Sequence, residues 1–294
     1  MVGVVNAFTV DVEDYFQVSA LAPAISRDSR PTREYRAERN TDRVLSVLAD
    51  HGVRGTFFVL GLIAERSPAL IKRIAAAGHE IASHGFSHEL IYSQTQSAFR
   101  AETARSKDHL EDLIGAPVLG YRAASFSITR DSLWALDVLI DLGFEYDSSV
   151  FPIRHDRYGI PGAAREPGTI TAPSGRRIAE FPMAAAEYFG VQVPVSGGGY
   201  FRIFPYWLTR AGLRRINSQQ SRPFVFYVRP GDLETCEARL RRLLAEFRFA
   251  PVRDVLESRS LMKLRERVPT VQPAPPPDAP YVGPERRRVR MAGQ

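Results

Sequence analysis

The sequence predicts an α/β protein, a parallel sheet covered by helices in a barrel or doubly wound arrangement. Three observations predict it. Short apolar, β-rich runs alternate with helical patterns through the first 150 residues. Acidic residues and histidines gather directly after those runs, where such sheets bind ligands. The 294 residues, 44% hydrophobic and 24% charged, suit one large domain with a closed core.

Each element follows from a local pattern. Val5 to Val10 is the first strand and runs into Asp11, Glu13 and Asp14. Asn40-Thr41 offers an N-cap for a helix carrying Val44, Leu45, Val47 and Leu48, closed by Gly52. Gly55 to Leu60 is a buried strand, and Ser67-Pro68 opens a helix that stops at Gly78. His79 to Ser83 is a short strand, 94–114 a long amphipathic helix, and Val118 to Tyr121 another strand. Thr129 caps a helix carrying Leu133, Leu136 and Leu139, and Gly143 to Asp147 leads into the next strand.

Between about 150 and 205 prolines and a Gly197-Gly198-Gly199 run predict loops, with strands at Ile178–Phe181 and Val191–Val193. A helix near Trp207–Ile216, a strand Phe224–Val228 and a helix Glu234–Phe247 resume the alternation. Residues 1–263 form the expected domain. Residues 264–294, rich in proline and arginine, hold too little apolar surface to offset ordering entropy and are expected to be a disordered tail.

Composition excludes several classes. Cys236 is the sole cysteine, so no disulfide scaffold exists. No apolar run approaches the roughly 18 residues of a membrane span, and the N-terminus lacks the basic start of a secretory signal. A soluble, cytoplasmic protein is expected, with peripheral contact at the inner membrane compatible. The net charge is +6, yet residues 259–294 hold eight basic and three acidic side chains, leaving the first 258 residues near neutral. The basic signal therefore belongs to the tail, which is expected to touch an anionic surface or an acidic protein. No nucleic-acid motif or aromatic–basic stripe accompanies it, and a nucleic-acid partner is not expected.

Three clusters can carry chemistry. Asp11-Val-Glu-Asp14 places three acids at a strand end, and period-2 alternation points Asp11 and Glu13 the same way. Such a cluster serves either as a cation site or as a solvated helix cap. His84-Gly-Phe-Ser-His88 follows another strand, and histidines four apart on a helical turn can chelate one metal. Two histidines and one carboxylate suit Zn²⁺ best, with Co²⁺, Fe²⁺ or Ni²⁺ compatible. Tyr121-Arg122-Ala-Ala-Ser-Phe126 puts an arginine after a third strand, able to orient a carboxylate.

Taken together, TVDVEDYFQV, VRGTFFVLG, AAGHEIASHGFSH, GYRAASFSITRDSLWALD, DSSVFPIRHDRYGIPGA and SGGGYFR resemble the NodB-type polysaccharide deacetylases, carbohydrate esterase family 4. The likeness covers roughly residues 5 to 256. It is nearer to the branch found with exosortase (PEP-CTERM) exopolysaccharide loci. The resemblance implies a distorted (β/α)7 TIM-like barrel and metal-assisted removal of N-acetyl groups from an amino-sugar polysaccharide or its precursor. It implies Asp11 as general base, Arg122 holding Asp11 ionised, and His84 and His88 as metal ligands with Glu13 or Asp14 completing the set. A D-x-D spacing in related members favours Glu13. Backbone N–H groups near Tyr121 or Ser148 are expected at the oxyanion. Tyr200 is either a sugar-stacking platform or part of the core.

The chain departs from the family pattern at two places. Ala124 stands where proline is common. The late aromatic–Leu-His-Pro-Trp-Glu motif is replaced by Phe226-Tyr-Val-Arg-Pro-Gly-Asp-Leu233, and no histidine follows His155. Either His155 or a metal-bound water is then expected to protonate the leaving amine. The alternatives are a glycan-binding pseudoenzyme and an amidohydrolase for a small cyclic amide.

Overall fold

The computed structural model describes residues 3–17, 25, 32–220 and 222–262. The expected tail and the expected domain end at 263 lie outside the described residues. The chain begins with β1 (Val5–Val12), α1 (Ala37–Asp50), β2 (Thr56–Val59), α2 (Gly61–Arg66), α3 (Pro68–Ala76) and β3 (Glu80–Ser83). It continues through α4 (Gln96–Ile114), β4 (Gly120–Tyr121), α5 (Trp134–Asp141), β5 (Tyr146–Asp147), β6 (Gly168–Thr171) and β7 (Arg177–Glu180). The hairpin β8 (Ala185–Tyr188) and β9 (Val191–Pro194) leads to α6 (Gly198–Ile203) and α7 (Tyr206–Gln220). The last elements are β10 (Val225–Val228), α8 (Leu233–Glu246), β11 (Arg248–Ala250) and α9 (Val252–Ser258).

The main sheet runs β10-β1-β2-β3-β4-β5-β7-β6, with β11 also pairing β1. Every pair from β10 to β7 is parallel, and only β6 at the edge is antiparallel. The parallel α/β class is therefore as the strand–helix alternation predicts. The sheet is curled, and the chain after β7 meets β10 through single bridges at Met183–Val225 and Gly197–Tyr227.

Side-chain alternation along β1 divides two cores. Phe8, Val10 and Val12 face the helices with Phe57, Val59, Phe226 and Val228. Ala7 faces the inside of the curl with Phe58, Ala82, Val225 and Tyr227. Burying one such phenylalanine stabilises the fold by roughly 1.5–3 kcal/mol. The same alternation aims Thr9, Asp11 and Glu13 inward, at and beyond the carboxyl end of the strand.

One boundary differs in an informative way. Helix α1 starts at Ala37, and Thr41 lies inside it, donating to the Ala37 carbonyl at 2.6 Å. The cap comes from far back in the chain. Asp14 Oδ2 accepts from the N–H groups of Arg36 at 2.6 Å and Ala37 at 2.9 Å. No local capping signal can reveal a cap supplied from 22 or 23 residues away. By contrast α4 is capped locally, Thr95 accepting from Ala98 and Gly115 closing the end at φ 64°.

Candidate active site

The ends of β1, β3, β4 and β10 converge on one buried polar cluster. Glu13, His84 and His88 each offer a ligand atom, all within 4.8 Å of one another, and all three residues are buried. His84 Nδ1 donates to the Arg122 carbonyl at 2.8 Å, which fixes the tautomer and leaves the Nε2 lone pair free for a cation. Burial pushes the His84 pKa down, against the pull of Asp11. Glu13 Oε2 lies 2.7 Å from His88 Nε2 but has no hydrogen-bond partner among the described residues. A buried carboxylate oxygen and a ring nitrogen crowded together without a hydrogen bond is an arrangement a shared cation satisfies. Burial alone would raise the Glu13 pKa, yet His88 and Arg229 outweigh it and hold the carboxyl at about 2. The donor set fits a divalent metal.

The two histidines meet by a route other than the helical turn. Residues 84–90 form an irregular loop in which Gly85 has φ 78° and His88 φ 61°. The left-handed conformation at His88 turns its ring back toward His84, with ring centroids 5.4 Å apart.

Asp14 stands apart from the metal set, which corrects its place as an alternative third ligand. Its Oδ1 accepts from the Tyr15 N–H at 2.8 Å and its Oδ2 caps α1, so both oxygens are engaged with backbone.

Beside the metal cluster sits an ion pair. Arg122 Nη1 donates to Asp11 Oδ1 at 2.8 Å, and the arginine is fully buried. The guanidinium also donates to Thr9 Oγ1 at 2.8 Å, the Ser148 carbonyl at 3.0 Å and Ser148 Oγ at 2.9 Å. Its plane lies 4.0 Å from the centre of the Phe58 ring. Beyond Ala123 the loop passes through Ser125 and Phe126 at φ 50° and 56°, a strained pair of non-glycine residues typical of functional turns.

Ser148 and Tyr121 are both engaged within the fold. Ser148 N–H donates to the Tyr121 carbonyl, its hydroxyl donates to the Phe181 carbonyl, and both its oxygens accept from Arg122. Both oxygens of Ser148 thus position the arginine. The Tyr121 ring turns outward, edge-on to Phe99 and Phe144 in the helix-facing core. Alternation explains this, because Arg122 takes the inward position next to it.

His155 is not brought to the cluster by any contact of its ring. Its Nδ1 lies 2.8 Å from Asp156 and accepts from the Arg157 N–H, and its face stacks on Tyr158 at 3.8 Å. Tyr200 is half-buried, its hydroxyl 3.1 Å from that of Tyr158.

Two side chains enter the site that motif reasoning passed over. Arg229 Nε lies 2.6 Å from Glu13 Oε1, opposite the His88 contact. Burial opposes its charge, but Glu13 raises its pKa further. Tyr227, two residues earlier and also inward, is buried against Phe126 at 5.2 Å, and burial raises its phenol pKa. Continuing the period of two from Val225 to 229 was the signal available for both. A cavity of about 250 Å³ opens beside Glu13, lined also by Tyr15, Arg36, Arg202, Arg229 and Asp232.

Residues 25–146 match the family model for polysaccharide deacetylase. Over that segment the chain is similar to polysaccharide deacetylases. Residues 148–235 match a second model, a domain of unknown function (DUF3473). His84, His88 and Arg122 of the buried cluster fall in the first segment and Arg229 in the second, while Asp11 and Glu13 precede both.

A peptidoglycan-N-acetylglucosamine deacetylase of Bacillus cereus is 34% identical over 92 residues, 31% of this chain and 32% of that protein. A chitooligosaccharide deacetylase of Rhizobium leguminosarum bv. trifolii is 35% identical over 99 residues, 34% of this chain and 43% of that one. The chain thus spans less than half the length of these relatives. A solved Mycobacterium smegmatis structure designated a polysaccharide deacetylase superposes with TM-score 0.63 at 22% identity, over 89% of this chain and 93% of that one. At that identity it bears on the fold alone. Among the described residues, no helix is long and apolar enough to cross a membrane.

Proposed function

We propose that this protein is a metal-dependent N-deacetylase acting on an amino-sugar polysaccharide or its precursor, in exopolysaccharide biosynthesis. The observation that carries the reading is the buried Glu13–His84–His88 donor set beside the Asp11–Arg122 pair, at the carboxyl ends of neighbouring parallel strands. The named deacetylase relatives supply the substrate class. Zn²⁺ suits this donor set best. When bound by Glu13, His84 and His88, the metal supplies Lewis acidity that polarises an acetyl carbonyl and activates water.

The chain's own residues perform the proton work. Arg122 holds one oxygen of the Asp11 carboxylate, leaving the other to take a proton from the attacking water. The departing nitrogen must then be protonated, because an amide anion is a very poor leaving group. Among the described residues only Arg122 hydrogen-bonds the Asp11 carboxylate, and an arginine does not release a proton near neutral pH. Asp11 therefore returns the proton it took, serving as base and then acid. Acetate and a glycan amine leave.

Acetate release from N-acetylglucosamine oligomers with Zn²⁺ or Co²⁺ tests the reading. Asp11→Asn should lower turnover by about 10²-fold or more, and His155→Ala by less than about threefold. A loss on the 10² scale for His155→Ala would make that histidine the acid. A second reading, glycan binding without turnover, is favoured by the absence of any histidine after His155 and by Arg229 at the end of β10. It would be supported if the wild type bound these oligomers while releasing no acetate.

A further inference from the structure

The hairpin β8–β9 lies in the segment of unknown function and takes no part in the chemistry above. Its strands pair in antiparallel register up to Tyr188–Val191, joined by Phe189 and Gly190. Both turn residues have positive φ, 49° and 82°, as a two-residue hairpin turn demands. Asparagine, aspartate or glycine normally fills the first position, since a bulky side chain is strained there. Here it holds a phenylalanine whose side chain is fully in water, 104% exposed, with Val191 beside it at 63%. Strain and apolar exposure at one residue both oppose stability, so the tip is shaped for something outside the fold.

The hairpin is not a loose flap. Val195 N–H donates to the Ala184 carbonyl at its base, and α7 packs closely against it. A Cβ on Gly212 would come within 2.7 Å of Val195 Cγ1, so glycine permits that approach.

Next to the tip is a cavity of about 450 Å³, lined by Pro152, Arg165, Glu166, Gln192 and Arg222. Gln192 directly follows Val191 on β9. Arg222 Nε is buried there without a hydrogen-bond partner among the described residues. A buried guanidinium donor left unpaired asks for an anion or a water. Arg165 pairs with Glu187, and Arg215 donates to the Glu187 carbonyl and lies 5.0 Å over the Tyr188 ring. Three arginines thus face two glutamates, Glu166 and Glu187, around the hairpin. The surplus positive charge and the unpaired donor adjoin the exposed aromatic.

We propose that the β8–β9 tip docks the protein on an anionic phospholipid surface, Phe189 and Val191 entering the acyl boundary while Arg222 receives a lipid phosphate. Aromatic and aliphatic groups flanked by arginine are the composition that interfacial binding uses. The site is separate from the catalytic cluster, so docking does not depend on whether the chain deacetylates.

The full chain is tested by co-sedimentation with phosphatidylcholine vesicles, with and without phosphatidylglycerol. Binding should require phosphatidylglycerol. Phe189→Asn, which keeps a turn-compatible residue, should weaken partitioning about tenfold, the scale of one large apolar side chain leaving the interface. Arg222→Gln should weaken it about three- to tenfold. A Phe189→Trp variant, read against the wild-type signal of Trp134 and Trp207, should blue-shift on adding the anionic vesicles. Sedimentation without a blue shift would assign binding to the basic C-terminal segment and overturn the proposal. So would Arg222-dependent binding of inorganic phosphate without vesicle binding, or no binding to either vesicle.

Discussion

Replacing Arg122 with methionine is the sharpest perturbation the site offers. The guanidinium is fully buried, makes four hydrogen bonds, and faces a carboxylate whose side chain is 5% exposed. Removing it leaves Asp11 as an uncompensated buried charge, which costs about 3–5 kcal/mol. That is a large share of the roughly 5–15 kcal/mol by which domains are stable. Urea unfolding of four proteins resolves the cause: wild type, Arg122→Met, Asp11→Asn and the double variant. If the cost comes from the stranded carboxylate, Arg122→Met in the Asp11→Asn background should cost less by at least about 1.5 kcal/mol. Equal cost in both backgrounds would refute the reasoning and assign the loss to packing against Phe58 and to Ser148. Arg122→Lys keeps the charge but not the planar fork, so it should recover only part of the stability.

Three further predictions follow from the same geometry. Asp14→Ala should destabilise the protein by about 1–2 kcal/mol through loss of the α1 cap, while metal bound per chain, measured by emission spectrometry, stays unchanged. Glu13→Gln should abolish most of that metal, and a chelator should lower the wild-type melting temperature but not that of Glu13→Gln. His79 gives a pH signature. Burial, then Arg54, lowers its pKa from 6.5 to about 4, and Nδ1 accepts from the Gly55 N–H. The unfolded chain then binds the extra proton first, so stability is full above pH 6.5 and falls as pH drops toward 4. Discounting for partial exposure, roughly 2 kcal/mol is lost across that window. His79→Asn, whose Oδ1 can replace the acceptor, should show a flatter urea midpoint between pH 7 and pH 4.5. An unchanged slope would place the effect elsewhere.

What the sequence by itself determined was whatever depends on short-range periodicity and on chemistry. Strand–helix alternation determined the parallel α/β class. A period of two along β1 set Asp11 and Glu13 on one face, because a strand has no other way to dispose its side chains. The residue types in His84, His88, Arg122 and the acids limited the chemistry to a small set. Tertiary structure decided which of those groups meet, because each contact spans strands far apart in the chain. Asp14 became a helix cap, since Arg36 and Ala37 arrive from a distant segment with unsatisfied N–H groups. Ser148 became a support for Arg122, and Arg229 a partner of Glu13, only because β5 and β10 end beside β4 and β1. The histidine pair closed through a left-handed loop where local spacing alone suggested a helical turn. A ligand set is a property of strand ends in space, and one-dimensional spacing constrains it only where all its members share a single element.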